Sequence, residues 1–343
     1  MLCVLVVFIH NQINSVNFAG ETIRVKEPIV FEAVRIFISG YLGAIAVPLF
    51  FFISGYLLFK KDDPYPVMLK KKARSLVVPY FLWNALFFVV YYFAQQFPVI
   101  KQFIRRTIAS NIDIKELARI FFGRYNEFGP GNFPPAAATL WFVRDLFLCV
   151  VFSPVIKWLV KRMPAFSLVA VLLFAQSELL YGGIRRALFY FTLGGLAVRF
   201  DLSYKNIARI RFWDIGVLFA LIIILRFYFH FSTQTAASPL GVLNVLVGGV
   251  LLLKISGRVC EDERAFAALK YLSQFTFWIF ATHYEIVAAI KKLWWKFMPL
   301  NGVSFFVEYF GGTALCVGIC MGAALLVKRI APKVYAVFTG GRA

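Results

Sequence analysis

Residues 47–59 read Val47, Pro48, Leu49, Phe50, Phe51, Phe52, Ile53, Ser54, Gly55, Tyr56, Leu57, Leu58 and Phe59, without a charge among them; Lys70, Lys71, Lys72 and Arg74 follow soon after. A helix built from such a run has no polar face to offer water. It must be bathed in lipid or buried among helices of the same kind. The cationic cluster just past it marks the side of the membrane on which the helix emerges. It also offers a place for an anionic cofactor at the bilayer edge.

The rest of the chain agrees. Hydrophobic residues make up 61% of the 343 and charged residues 16%, whereas a soluble domain is nearer half apolar and a quarter charged. The sequence is therefore that of an all-α integral membrane protein. A net charge of +20 would suit nucleic acid. In a chain this apolar, however, Lys and Arg fix topology and bind anionic membrane lipids, and no nucleic-acid partner is expected. The cysteines (Cys3, Cys149, Cys260, Cys316, Cys320) show neither a CxxC pair nor metal-ligand spacing, so no metal is implied. Cys316 and Cys320 share a helix face and read as packing residues.

About ten spans can be placed. Residues 1–15 are too short and too polar at their end for a whole span, and read as the outer part of a first helix whose beginning is missing or very short. Further spans are expected near 40–59, 77–97, 140–157, 164–181, 186–200, 213–231, 238–257, 272–290 and 304–327, with a polar connection at 16–33. The long segment 98–138 carries Ile104, Ile108, Ile112 and Ile120 among charges at helical spacing, which predicts an amphipathic surface helix, and closes in a loop around Gly129, Pro130 and Gly131. Connections after alternate spans hold the larger share of Lys and Arg, which puts both termini in the cytoplasm. No internal repeat divides the chain, so residues 1–343 read as a single membrane domain.

Ionisable groups inside spans are rare, and function is their default reading. His10 has the chemistry of a general base that takes a proton from an attacking hydroxyl; the alternative is a histidine that bonds helices together. Lys71 and Arg74, three apart, share a helix face and suit phosphates, although Lys60, Lys61 and Lys70 already serve topology. Ser54 and Gly55 allow close helix approach. Asp145 either pairs nearby, beside Arg144, or orients His10. His283 and Glu285 lie in the ninth span without an assigned partner. Glu178 and Arg226 are expected to satisfy one another, and His230, at a helix end, to face water.

Four pieces occur in order: Val7 to His10, the Phe-rich run with Ser54 and Gly55, Lys71 to Arg74 ahead of Pro79, and Leu140, Trp141 and Phe142. In this order and spacing the chain resembles the acyltransferase-3 family of membrane O-acyltransferases over essentially its full length. The resemblance implies that His10 is the catalytic histidine and that Lys71 and Arg74 stand where the family has an Arg-x-x-Arg donor site, with Lys in the first place. It implies that Ser54 and Gly55 line the donor path, and that His283 matches a recurring late histidine. The family's basic residue eleven positions before the helix-1 histidine would precede Met1.

The expected activity is transfer of an acetyl or similar acyl group from acetyl-CoA, at the cytoplasmic face of a bacterial inner membrane. The acceptor would be a hydroxyl of a lipid-linked or cell-surface glycan, with His10 as base and Asp145 and His283 as further catalytic candidates. A second reading is a transporter or flippase for an anionic or glycan solute along Arg144, Asp145, His283 and Glu285; a third is a membrane sensor without catalysis. Absence of internal repeats counts against the transporter.

Overall fold

The computed structural model describes residues 2–18, 21–61, 63–101, 103–104, 108, 112–123, 134–176, 182–233, 238–299 and 301–341. Apart from a small antiparallel hairpin, β1 (Ser15–Phe18) with β2 (Glu21–Arg24), the described elements are helical. α1 spans Leu2–His10, α2 Ile29–Lys60, α3 Tyr65–Ala94 and α4 Ile114–Phe122. Next come α5 (Trp141–Val151), α6 (Ser153–Arg162), α7 (Pro164–Gln176), α8 (Gly182–Arg199) and α9 (Tyr204–Arg209). The chain continues through α10 (Phe212–Thr233), α11 (Ser238–Glu261), α12 (Glu263–Ser273), α13 (Thr276–Phe297), α14 (Gly302–Ile330) and α15 (Pro332–Phe338).

Among the described residues, five helices are long and apolar enough to cross a bilayer: α2, α3, α10, α11 and α14. Together α5 and α6 make a sixth if the pair, bent by 58° at a short break, is one span. Helices also stand at the other expected positions, but α1 and α7 are short, and α8 and α13 carry Arg185, Arg186, Lys291 and Lys292 within them. The expected count of ten is therefore not reached on length and composition.

α2 is the axis of the bundle, packing against α1, α8 and α11. Its contact with α8 is a meeting of backbones. A Cβ on Gly55 would lie 2.1 Å from the Phe191 carbonyl oxygen, and one on Gly194 2.2 Å from that of Phe52. Only paired glycines permit such an approach, the way small residues weld membrane helices. Above this weld the ring of Phe142 on α5 packs on Phe51 at 4.6 Å, Phe50 at 5.8 Å and Phe280 at 5.6 Å between centroids. Leu221, Ile224 and Tyr228 of α10 are exposed, as befits a face turned to lipid.

Among the described residues, three helices contain π-turns, at Ile36–Leu42 in α2, Ala73–Val77 in α3 and Glu308–Gly312 in α14. Such turns recur at functional sites because they widen the helix and re-aim its side chains. The turn in α3 is buttressed by the end of the chain. Trp83 Nε1 donates to the Phe338 carbonyl at 3.0 Å, and Gly340, at φ +66°, comes so close that a Cβ there would sit 2.3 Å from the Ser75 carbonyl.

Several boundaries differ from expectation. The second helix begins at Ile29, because apolar Ile29, Val30 and Phe31 extend it through what the charges mark as a polar connection. The amphipathic helix is confined to Ile114–Phe122, leaving Ile104 and Ile108 outside it. His230 does not merely face water: its Nε2 is 3.5 Å from Glu32 Oε1. The Arg226 guanidinium lies over the Tyr41 ring at 4.3 Å. Its expected partner Glu178 lies outside the described residues, as does the loop around Gly129, Pro130 and Gly131. Cys316 and Cys320 are fully buried in the core, as packing residues should be.

Candidate functional site

His10 ends α1, and a cavity of about 240 Å³ opens beside it. α2 forms one wall through Gly43, Ala44, Val47 and Pro48, small or donor-free residues that leave room where a longer side chain would fill it. Pro48 has no N–H, so the Ala44 carbonyl loses its usual helical donor on this wall. Trp141, Arg186 and Phe280 bring α5, α8 and α13 to the same space. Two hydroxyls on the wall are committed to backbone. Thr139 donates to the Phe280 carbonyl at 2.8 Å, and Ser39 to the Phe8 carbonyl at 2.7 Å with Tyr309 OH 2.6 Å away.

Behind His10 stands α13. The His10 ring is 5.4 Å from that of His283 and edge-on to Tyr284 at 4.5 Å, centroid to centroid. His283 is fully buried, with Nδ1 2.9 Å from the Ile279 carbonyl. A carbonyl only accepts, so Nδ1 carries the hydrogen and Nε2 is the bare acceptor. That Nε2 is buried without a hydrogen-bond partner among the described residues.

The end of α1 is clamped in place. Lys291 Nζ donates to the carbonyls of His10 (3.0 Å) and Gln12 (3.2 Å), and Trp295 Nε1, one turn on, to that of Ile13 (3.0 Å). A cation at a helix C-terminus meets the orphan carbonyls and the negative end of the dipole together. Asn11 Nδ2 adds bonds to the Tyr309 carbonyl and Thr313 Oγ1, both at 3.1 Å. If His10 acts as the base, replacing Lys291 by methionine is expected to lower turnover about 10- to 100-fold by misplacing its ring. Lys291→Arg should keep most activity, and donor affinity should hold in both. Steady-state rates alongside equilibrium binding check this.

Other candidates are dispersed. Asp145 is fully buried and its Oδ1 accepts from Arg144 Nε at 2.9 Å; Arg144 also donates to the Gly123 carbonyl. A Cβ on Gly183 would come 2.8 Å from Asp145 Oδ2, so the carboxylate lies under the start of α8 and does not line the His10 cavity. Gly55 is used in the weld to α8, and Ser54 lines neither the His10 cavity nor the lysine-rich one that follows.

A second cavity, of about 540 Å³, opens where α2, α3 and α6 meet and is lined by Lys61, Lys71, Lys72 and Lys157 together with Asp63, Tyr65 and Ser75. Lys71 also pairs with Asp63 at 3.2 Å, in the open. Arg74 is exposed and not part of the lining. It stands in the π-turn of α3, Ala73–Val77. Ten residues of α2 separate Leu57, on this cavity, from Val47, on the other, about 15 Å at 1.5 Å per residue.

Sequence reasoning missed Arg186 and Lys291, which it counted as loop charges, and Glu308, fully buried in the π-turn of α14 within electrostatic range of Lys291. For Glu308 the signal existed: it is an acid at the head of an otherwise apolar run.

A family model described as an acyltransferase domain matches residues 1–325. The succinoglycan biosynthesis protein ExoH of Rhizobium meliloti (strain 1021) is 29% identical over 325 residues, covering 91% of this chain and 83% of ExoH. No solved structure matches.

Proposed function

The chain belongs to the acyltransferase family whose domain model spans residues 1–325, and from that premise we propose that it acylates a glycan with an acyl group drawn from coenzyme A. It is an integral membrane acyltransferase. The observation that carries the finer reading is the pair of cavities set about 15 Å apart along α2, one walled by four lysines and the other by His10. A coenzyme A thioester has this polarity: phosphates at one end, then a long flexible arm, then the reactive carbonyl. Lys61, Lys71, Lys72 and Lys157 would hold the phosphates at the cytoplasmic edge, with Arg74 close by on α3. The arm would bring the thioester to His10.

The reaction is a direct transfer. The acceptor hydroxyl oxygen attacks the thioester carbonyl as His10 takes its proton, a C–O bond forms, and the C–S bond breaks. The proton then passes from His10 to the departing thiolate. His283, buried against His10 with a bare Nε2, fits a neighbour that orients the base. Asp145 acts at one remove, seated under α8 with Arg144. ExoH is named for the biosynthesis of succinoglycan, which supports a cell-surface or lipid-linked glycan as acceptor. With the lysine-rich face inward, both termini lie in the cytoplasm of a bacterial inner membrane.

Acetyl-CoA binding to the purified protein in detergent tests the donor half. The double variant Lys71→Ala, Lys72→Ala is expected to weaken binding about tenfold or more, on the scale of about 1 kcal/mol for each hydrogen bond to phosphate that is removed. Arg74→Ala, away from the cavity lining, should cost less. Unchanged affinity in the double variant would remove the donor from this cavity.

A further inference from the structure

We propose that Arg186 is a catalytic residue, whose guanidinium binds the oxyanion formed at the thioester carbonyl. This rests on the reading of the His10 cavity as the transfer site. Arg186 lies one turn into α8 and lines the cavity that also holds His10. Most of the remaining lining is apolar or small: Val6, Ile9, Ala44, Val47, Trp141, Phe280. The hydroxyls of Ser39 and Thr139 already donate to the Phe8 and Phe280 carbonyls. His10 and Arg186 thus supply the ionisable side chains on the wall of a small, largely apolar cavity.

That division matches what the reaction demands. When the hydroxyl oxygen adds to the carbonyl carbon, the π electrons move to the carbonyl oxygen and the hydroxyl proton moves to His10. Negative charge then builds on that oxygen against a largely apolar wall, where a fixed donor acts more strongly than in solution. A guanidinium offers several N–H donors in one plane and stays charged throughout. As the tetrahedral centre collapses, the charge returns to the C=O bond, sulfur leaves, and Arg186 is ready for the next turnover. α8 is well suited to hold the group still: Gly183 seats it on Trp141 and Asp145, and Gly194 welds it to α2.

The test uses the full chain in detergent, with acetyl-CoA and succinyl-CoA as donors and deacylated succinoglycan oligosaccharides as acceptor probe. Arg186→Met is expected to lower kcat about 100-fold with both donors, the scale of removing one oxyanion donor, while acetyl-CoA binds within about twofold of wild type. Arg186→Lys, which keeps the cation, should recover about tenfold of that loss. An unchanged kcat, a rise in KM alone, or a loss confined to succinyl-CoA would each overturn the proposal; the last would make Arg186 a reader of acyl-chain charge. Loss of the folded species in Arg186→Met would shift the decision to Arg186→Gln, which removes the charge and where wild-type kcat would again overturn it. No transfer by wild type from either donor would instead overturn the reading of the cavity, and the role of Arg186 with it.

Discussion

Alanine at His10 is expected to lower acyl transfer by about a thousandfold, while acetyl-CoA binds within about twofold of wild type. General-base assistance commonly contributes 10²–10⁴-fold, and the cavity wall offers no second imidazole: His283 is sealed behind His10 with Nδ1 bound to the Ile279 carbonyl. Binding should survive because the lysine-rich cavity lies about 15 Å away along α2. Single-turnover transfer and equilibrium binding, measured on one preparation, separate the two. If binding and transfer fell together, His10 would be a strut of the α1–α13 contact and the assignment of base would fail.

Valine at Gly55 or at Gly194 is expected to unfold the bundle or to lower its stability by more than about 3 kcal/mol. The new Cβ would stand 2.1 Å from the Phe191 carbonyl oxygen or 2.2 Å from that of Phe52, and both obstacles are backbone, which cannot rotate away. α2 and α8 would have to part along the contact that joins the two halves of the site. Gly318 is the internal comparison: nothing lies within 4 Å of a Cβ built there, so Gly318→Ala should change little. Thermal unfolding in detergent reads both, and a Gly55→Val protein as stable as wild type would refute the weld.

The membrane class and the order of the helices were legible because each rests on local chemistry, an apolar run or a proline, and His10 stood out as an imidazole where lipid should be. The resemblance was carried by short motifs, and the family match covers the same chain. What the sequence hid was partnership. Lys291 reads as a topology marker until α13 is seen to lay it across the end of α1. Arg186 reads as a loop charge until α8 begins at Gly182 and swings it inward. Lys71 and Arg74 share a face by α-helical spacing, yet only Lys71 lines the lysine-rich cavity, and Arg74 stands in a π-turn. No residue type in Ala73–Val77 announces the wider turn; it is sustained in part by Gly340, far away in the chain.

The cluster of rings around Phe142 has a bearing on the cell as well as on the reaction. Phe50, Phe51 and Phe280 close on it just above the glycine weld, so the middle of the bundle holds an apolar stopper. If donor and acceptor are taken from opposite sides of the membrane, as proposed, the enzyme must also avoid becoming a leak. A hydrated ion would have to shed its water to pass between such packed phenylalanine rings. On the proposed reading, rings packed this closely would keep the bundle shut to ions while transfer proceeds.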